Sequence, residues 1–252
     1  MKNGKLNGKI AVVTGASKGI GAEIARYFAA EGAAVVVNYA SSKTDADKVV
    51  DEITKLGGKA VAVQGNVAKK TEVERLFAAA EKAFGEIDIL VNNAGVYQFA
   101  PLESATEEEF HRQFDTNVLG LILATQEALK HFGTEGGSVI NVSSLASSAT
   151  PPASVIYSAT KAAVDAITGV LAKELGPRKI RVNAINPGPI ETEGFQAQGF
   201  SGSDFEKQSV AQTPLGRLGQ PRDVAPAAVF LASPDSAWIT GETIRVAGGL
   251  HG

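Results

Sequence analysis

Short apolar runs alternate with helix-length amphipathic stretches along most of this chain, and that alternation limits the fold more than any single residue does. Ile10-Ala11-Val12-Val13 leads into an amphipathic run to about Glu31, Ala34 to Asn38 into a helix over Asp45 to Leu56, and Lys59 to Val63 into a helix over Glu72 to Phe84. Ile89-Leu90-Val91, Val139-Ile140-Asn141-Val142 and Ile180 to Ile185 continue the series. Pro221 then opens a helix over Val224 to Leu231, and Thr243 to Val246 makes a last strand. Strands joined through helices run parallel, and strands apolar along their whole length are buried on both sides. The expected fold is therefore α/β, a doubly wound parallel sheet with helices on both faces. No charge run, composition shift or low-complexity linker interrupts residues 1–252, which read as a single domain.

The first strand breaks into Thr14-Gly15-Ala16-Ser17-Lys18-Gly19-Ile20-Gly21 before its helix. Glycines at such a bend allow a tight turn and close approach of backbone to a ligand, and the helix N-terminus behind them turns unpaired N–H groups toward a phosphate. The spacing departs from G-x-G-x-x-G, so the reading rests on those mechanics, with an ordinary strand-to-helix turn as the plain alternative. At the end of the second strand a dinucleotide site reads the adenosine ribose: an acid there favours a free 2′-hydroxyl, a cation a 2′-phosphate. This strand runs out through Asn38-Tyr39-Ala40-Ser41-Ser42-Lys43 with no acid, and Lys18 stands in the glycine loop. A bound dinucleotide is expected to be NADP(H) in preference to NAD(H), unless Lys18 is merely a solvated loop residue.

After the fourth strand, Asn92-Asn93-Ala94-Gly95 could pack against a cofactor or cap a turn. A helical stretch from about Glu107 to His131 holds Asn117 beside Val118 and Leu119, where an amide needs either a core hydrogen bond or a functional water. The fifth strand ends in Ser143-Ser144. Ligands of open parallel sheets bind beyond the carboxyl ends of the strands, so Ser144 and the glycine loop should open onto one crevice. The next helix carries Tyr157 and Lys161, four residues apart and hence on one face. A phenol titrating near ~10 exchanges protons poorly at neutral pH, and a neighbouring cation lowers that value. Alone the pair looks like any solvated helix face; beside Ser144 and the glycine loop it becomes a candidate acid–base group. Beyond the sixth strand, Asn186-Pro187-Gly188-Pro189-Ile190-Glu191-Thr192 reads as a rigid turn. The glycine-rich stretch that follows, with Phe195, Phe200 and Phe205, suits either a mobile substrate lid at about 189–213 or an irregular connection.

Composition narrows the function classes. A formal charge of −3 offers no basic face for nucleic acid. The absence of cysteine removes disulfides, thiolate nucleophiles and cysteine metal sites, and His111, His131 and His251 are too scattered for a ligand cluster, so no metal is expected. Met1 to Ile10 has no apolar signal core, and no apolar run approaches the ~20 residues of a membrane span. A cytoplasmic location without a membrane partner is expected.

Thr14-Gly15-x-x-x-Gly19-x-Gly21, Asn92-Asn93-Ala94-Gly95, Ser144, Tyr157-x-x-x-Lys161 and Pro187-Gly188 follow one another over nearly the whole chain, which in this resembles the short-chain dehydrogenase/reductase family. The resemblance implies a Rossmann-type sheet of seven parallel strands, a homotetramer, and hydride exchange between a nicotinamide and a small-molecule ketone or secondary alcohol. It implies Tyr157 as general acid in reduction, Lys161 lowering its pKa and holding the nicotinamide ribose, and Asn117 holding a relay water. Ser144, thirteen residues before the tyrosine as in the family, would hold the substrate oxygen. Further cofactor contacts are implied at Gly15, Ser17, Lys18, Gly19, Ile20, Gly21, Asn38, Tyr39, Ala40, Ser41, Asn66, Val67, Asn93, Ala94, Gly95, Pro187, Gly188, Ile190 and Thr192.

Three departures from the family pattern bear on this. Asn66 stands where many relatives place an aspartate against adenine, and Ala247 where many carry an aspartate beside Gly248-Gly249. Reductases of carrier-linked 3-oxoacyl groups use a basic residue where this chain has Glu135, although Arg178 matches their second basic position. The expected function is an NADPH-dependent carbonyl reductase. A 3-oxoacyl-carrier-protein reductase is the alternative among enzymes, and a non-catalytic NADP-sensing protein the alternative outside them.

Overall fold

Val12 and Val13 point to opposite sides of β1 (Ile10–Val13), and both are fully buried. The same holds in β2 (Ala34–Tyr39) for Val35 and Val36, and in β4 (Ile89–Asn92) for Ile89 and Leu90. A sheet apolar on both faces needs two helical layers. With β3 (Lys59–Gln64), β5 (Gly137–Val142), β6 (Ile180–Pro187) and β7 (Thr243–Val246), these strands form one parallel sheet in the order β3-β2-β1-β4-β5-β6-β7. The computed structural model describes residues 4–251, so the reading of Met1 to Ile10 lies outside the described residues at residues 1–3.

On one face α1 (Gly19–Ala30), α2 (Lys43–Lys55) and α10 (Pro221–Ala232) pack Ile24, Phe28, Val49 and Val224 against Val13, Val35, Val91 and Ile140. On the other, α3 (Lys70–Phe84), α5 (Gly120–Ala128) and α7 (Val155–Leu175) pack Leu76, Phe77, Ala124 and Leu175 against Val12, Val36, Leu90 and Val139. Phe28 and Phe77 are among the largest fully buried side chains, one in each layer; truncating either to alanine is expected to cost about 3–5 kcal/mol. The strand order reverses direction between β1 and β4, and the crevice beyond their carboxyl ends is where this topology places a ligand.

Three expectations change. The helix over Glu107 to His131 is divided: α4 (Glu107–Phe114) passes into a π-helical stretch, Asp115–Leu119, before α5 begins. The stretch at about 189–213, read as either a lid or an irregular connection, contains two capped helices, α8 (Glu193–Ala197) and α9 (Asp204–Gln212). Thr192 accepts the Phe195 N–H at 3.1 Å, and Ser203 the Glu206 N–H at 3.3 Å. Finally, Val155–Arg178, which is α7 with its last tight turn, is long and apolar enough to cross a membrane by length and composition, with a mean hydropathy of 1.3. Scattered polar residues such as Ser158, Lys161 and Asp165 interrupt it, so it contains no long unbroken apolar run. One face of α7 packs on the sheet through Val164, Ala172 and Leu175, whereas Val155 and Val170 on the other are more than half exposed.

Candidate active site

The glycine loop is held from two sides. Gly15 and Gly19 both adopt φ of 60°, a region that favours glycine. A Cβ on Gly21 would lie 2.3 Å from Asn93 Nδ2 and 2.7 Å from the Gly15 carbonyl oxygen, so this position admits no side chain. Asn93 donates from Nδ2 to the carbonyls of Thr14 and Gly15, both at 2.9 Å, while Thr14 Oγ1 accepts the N–H groups of Asn93 and Ala94. Asn38 completes the clamp: its Oδ1 accepts the Gly15 N–H at 3.1 Å and its Nδ2 donates to Gly65 at 2.9 Å and Val63 at 3.3 Å.

Asn38 and Asn93, expected among the cofactor contacts, therefore use their side chains to shape the loop. Asn66 likewise turns its Oδ1 onto the Ala68 N–H, and its own N–H donates to Glu72. Val67 is buried beside Gly120, where a Cβ would come within 2.7 Å of Val67 Cγ2. Lys18, Ala40 and Ser41 are exposed, Ser17 and Ile20 half-buried, and Tyr39 buried at the end of β2. Lys43 pairs with Asp47, so Lys18 is the loop cation next to the bare glycine backbone. Thr192 reaches across the crevice, its Cγ2 3.5 Å from where a Gly19 Cβ would stand. A glycine cradle at a helix N-terminus, with a second wall from the β6 end, fits a dinucleotide.

The candidate catalytic side chains meet at the ends of β4, β5 and α7. Lys161 is buried and donates from Nζ to the Val142 carbonyl at 2.9 Å; the same Nζ lies 5.7 Å from the centre of the Tyr157 ring. Ser143 is buried with its hydroxyl on the Lys161 carbonyl, whereas Ser144 stands half-buried and accepts the Ala146 N–H at the start of α6 (Ala146–Ala149). Asn117 lies in the π-helical stretch; its Oδ1 accepts the Val96 N–H and its Nδ2 donates to the Val96 carbonyl, both at 2.8 Å, and to Thr160 Oγ1 at 3.1 Å. Gly95 leaves room between the two: a Cβ there would lie 3.4 Å from Asn117 Oδ1 and 3.6 Å from Lys161 Nζ. A cavity of about 10 Å³ beside them, walled by Thr14, Asn92, Asn117 and Lys161, is the size of one water molecule.

Burial governs the electrostatics. It pushes the Tyr157 phenol up to about 12, with the Ser144 hydroxyl opposing, and pushes Lys161 down to about 8, with Asp165 opposing. Desolvation dominates both groups, and the causes acting on the Tyr157 phenol are burial, the Ser144 hydroxyl and Tyr97.

At the β6 end, Pro187 accepts the Leu145 N–H at 2.9 Å, Gly188 closes on Ala247, and Ile190 bridges to Gly219. Over the phenol lies an aromatic wall that local spacing did not reveal. Tyr97 and Phe99 have ring centres 5.7 and 5.8 Å from Tyr157, and Phe99 meets Phe200 edge-on at 5.8 Å. Phe200 in turn lies tilted against Phe205 at 4.8 Å and meets Phe195 edge-on at 5.4 Å. Asp165 and Ser147, which the sequence did not single out, are joined beside the site by Asn186, read there only as the start of a rigid turn; the i+4 spacing of Asp165 from Lys161 was the signal available.

A doubly wound sheet, a glycine cradle at the first strand and a tyrosine–lysine pair beyond the fifth define a nucleotide-dependent oxidoreductase of the Rossmann class. The family model described as enoyl-(acyl carrier protein) reductase matches residues 15–251, and the chain belongs to the short-chain dehydrogenase/reductase family. It is 58% identical over 247 residues to an uncharacterized oxidoreductase of Methylorubrum extorquens, covering 98% of this chain and 99% of that one. It is 40% identical to a hydroxynaphthalene reductase-like protein of Metarhizium brunneum, over 97% of this chain and 95% of the relative. Among solved structures, a short-chain dehydrogenase of Burkholderia cenocepacia in complex with NADP superposes with a TM-score of 0.92 at 36% identity, covering 98% of this chain and 99% of that one.

Proposed function

We propose that this oxidoreductase uses NADPH to reduce a ketone whose substituents are apolar and flat, and catalyses the reverse oxidation of the secondary alcohol. The observation that carries the reading is the meeting of Ser144, Tyr157 and Lys161 beside the glycine cradle. When bound, the reduced nicotinamide supplies the hydride. Tyr157 gives its phenolic proton to the carbonyl oxygen as negative charge develops there, and the Ser144 hydroxyl donates a hydrogen bond to the same oxygen. Lys161 stabilises the resulting phenolate, and Asn117 holds the π-helical stretch against α7 so that Lys161 and Gly95 keep their spacing. Gly15, Gly19, Gly21, Thr192 and Gly188 would hold the dinucleotide, with Lys18 and Ser41 toward a 2′-phosphate. The absence of an acid after β2 and the NADP carried by the Burkholderia relative support NADPH over NADH.

The aromatic wall of Tyr97, Phe99, Phe200 and Phe205 supports an apolar substrate, as does the hydroxynaphthalene reductase-like name of the Metarhizium relative. Carrier-linked substrates are disfavoured: Arg178 donates to the Leu129 carbonyl at 2.7 Å, and Glu135 is exposed beside Lys179. A complete Ser–Tyr–Lys set argues against a purely sensing role. The half-exposed apolar face of α7 supports self-association, proposed as a homotetramer, and the proposed location is cytoplasmic. NADPH oxidation against a panel of aryl ketones, aliphatic ketones, keto-esters and acyl thioesters, with NADH as control, tests the reading. Fastest turnover is expected on aryl ketones with NADPH; activity with NADH alone, or with thioesters alone, would contradict it.

A further inference from the structure

We propose that Asp165 is a positioning residue for the Tyr157–Lys161 pair: through Asn186 and Ser147 it ties α7 to the neighbouring segments of the site, and its carboxylate is the counter-charge of the buried Lys161. The proposal rests on Lys161 serving the reaction as described above. Asp165 lies one turn beyond Lys161 in α7, so the two side chains leave the helix on one face. Its Oδ2 accepts from Asn186 Nδ2 at 3.0 Å, and the same nitrogen donates to Ser147 Oγ at 3.0 Å. Asn186 immediately precedes Pro187-Gly188 at the end of β6, and Ser147 lies in α6, three residues after Ser144. One carboxylate oxygen thus joins the segments that carry the serine, the tyrosine–lysine pair and the β6 turn.

The remaining oxygens are informative. Asp165 Oδ1 and Asn186 Oδ1 are both buried with no protein hydrogen-bond partner among the described residues. Unpaired buried acceptors cost stability. A scaffold contact alone would be better made by asparagine at 165, whose amide could donate to Asn186 Oδ1 while accepting from Nδ2. What aspartate adds is negative charge, and the buried cation one turn away is where that charge acts. Burial drives Lys161 toward its neutral form, and Asp165 is the group that opposes it. Tyr157 on α7 lies 5.7 Å from the Lys161 ammonium, Tyr97 after β4 packs on Tyr157, and α6, Ala146–Ala149, contains no titratable side chain. Arg245 of β7, the register partner of Asn186, is exposed and lies 3.3 Å from His251.

The test is the titration of Lys161 in the full-length protein, followed by NMR on 13Cε-labelled lysine, with K161M to assign the resonance. In D165N the midpoint is expected to fall by about one pH unit, a tenfold change in the charged fraction above it. The alkaline limb of kcat/KM for reduction should move with it, while the melting temperature stays equal or rises. D165E, which keeps the charge, should keep the wild-type midpoint. D165S carries the same prediction as D165N for the midpoint and replaces it if D165N fails to fold. An unmoved midpoint in the charge-free variant overturns the proposal. A moved midpoint with an unmoved pH–rate profile supports the counter-charge and instead overturns the use of Lys161 in turnover.

Discussion

Lys161 donates from Nζ to the carbonyl oxygen of Val142 across 2.9 Å, so a buried ammonium is fastened to the last residue of β5. Burial holds this lysine at about 8, below its ordinary 10.5. Between those values the folded protein binds fewer protons than the unfolded chain, so this group makes stability rise with pH through that window. Its cost is fully present below about 8 and gone above about 10.5. Lys161→Met is expected to abolish reduction and to remove this pH dependence, so that its stability relative to wild type falls by about 2–3 kcal/mol between pH ~7 and pH ~10.5, whatever constant cost the unpaired Asp165 carboxylate adds. Urea denaturation at the two pH values checks this; a stability difference that is the same at both would contradict it.

Asn117 makes three hydrogen bonds that join the π-helical stretch to Val96 and to Thr160 of α7. Asn117→Ala leaves the Val96 N–H and carbonyl without those partners. It is expected to cost about 1–3 kcal/mol of stability and to lower kcat about 100-fold. Thermal denaturation and steady-state kinetics measured together check both effects.

The parts of this molecule that sequence makes legible are those written in neighbouring residues. Strands such as Ile10–Val13 and Ala34–Tyr39 announce themselves because β-branched runs buried on both faces lack a polar alternate. The glycine loop and the Tyr157–Lys161 spacing are likewise local patterns. The π-helical stretch is not, because Asp115 to Leu119 reads as ordinary helix and is distinguished by the tertiary hydrogen bonds of Asn117. Asn38 is among the cofactor contacts that the family resemblance implies at the end of β2. Its actual partners, Gly15 and Gly65, lie 23 residues before it and 27 after it. The aromatic wall joins residues from the loop after β4 and from the α8–α9 segment, over 90 positions apart in the chain, a distance at which no periodicity informs.

Lys18 is the exposed cation beside the bare glycine backbone, and residues 40–43 after β2 contain no acid. Lys18→Glu is expected to weaken NADPH binding about tenfold or more while leaving NADH binding within about twofold, through attraction lost and repulsion gained at a 2′-phosphate. Fluorescence titration with each dinucleotide measures the difference.

Phe200 links Phe99 to Phe205 above the phenol. Phe200→Leu keeps apolar bulk but removes the ring, so KM for aryl ketones is expected to rise about fivefold, with kcat on a small aliphatic ketone unchanged. A matched pair of aryl and cyclohexyl ketones separates the ring effect from size; equal losses on both would show that the ring itself confers no preference.

The central claim is that the phenol of Tyr157 transfers the proton that accompanies hydride transfer. Its most direct measurement is kcat/KM for ketone reduction in Tyr157→Phe, together with NADPH affinity in the same preparation. The account predicts a fall of about 1000-fold or more, with the NADPH Kd within about twofold of wild type. Turnover retained within about tenfold, with NADPH still bound, would contradict it.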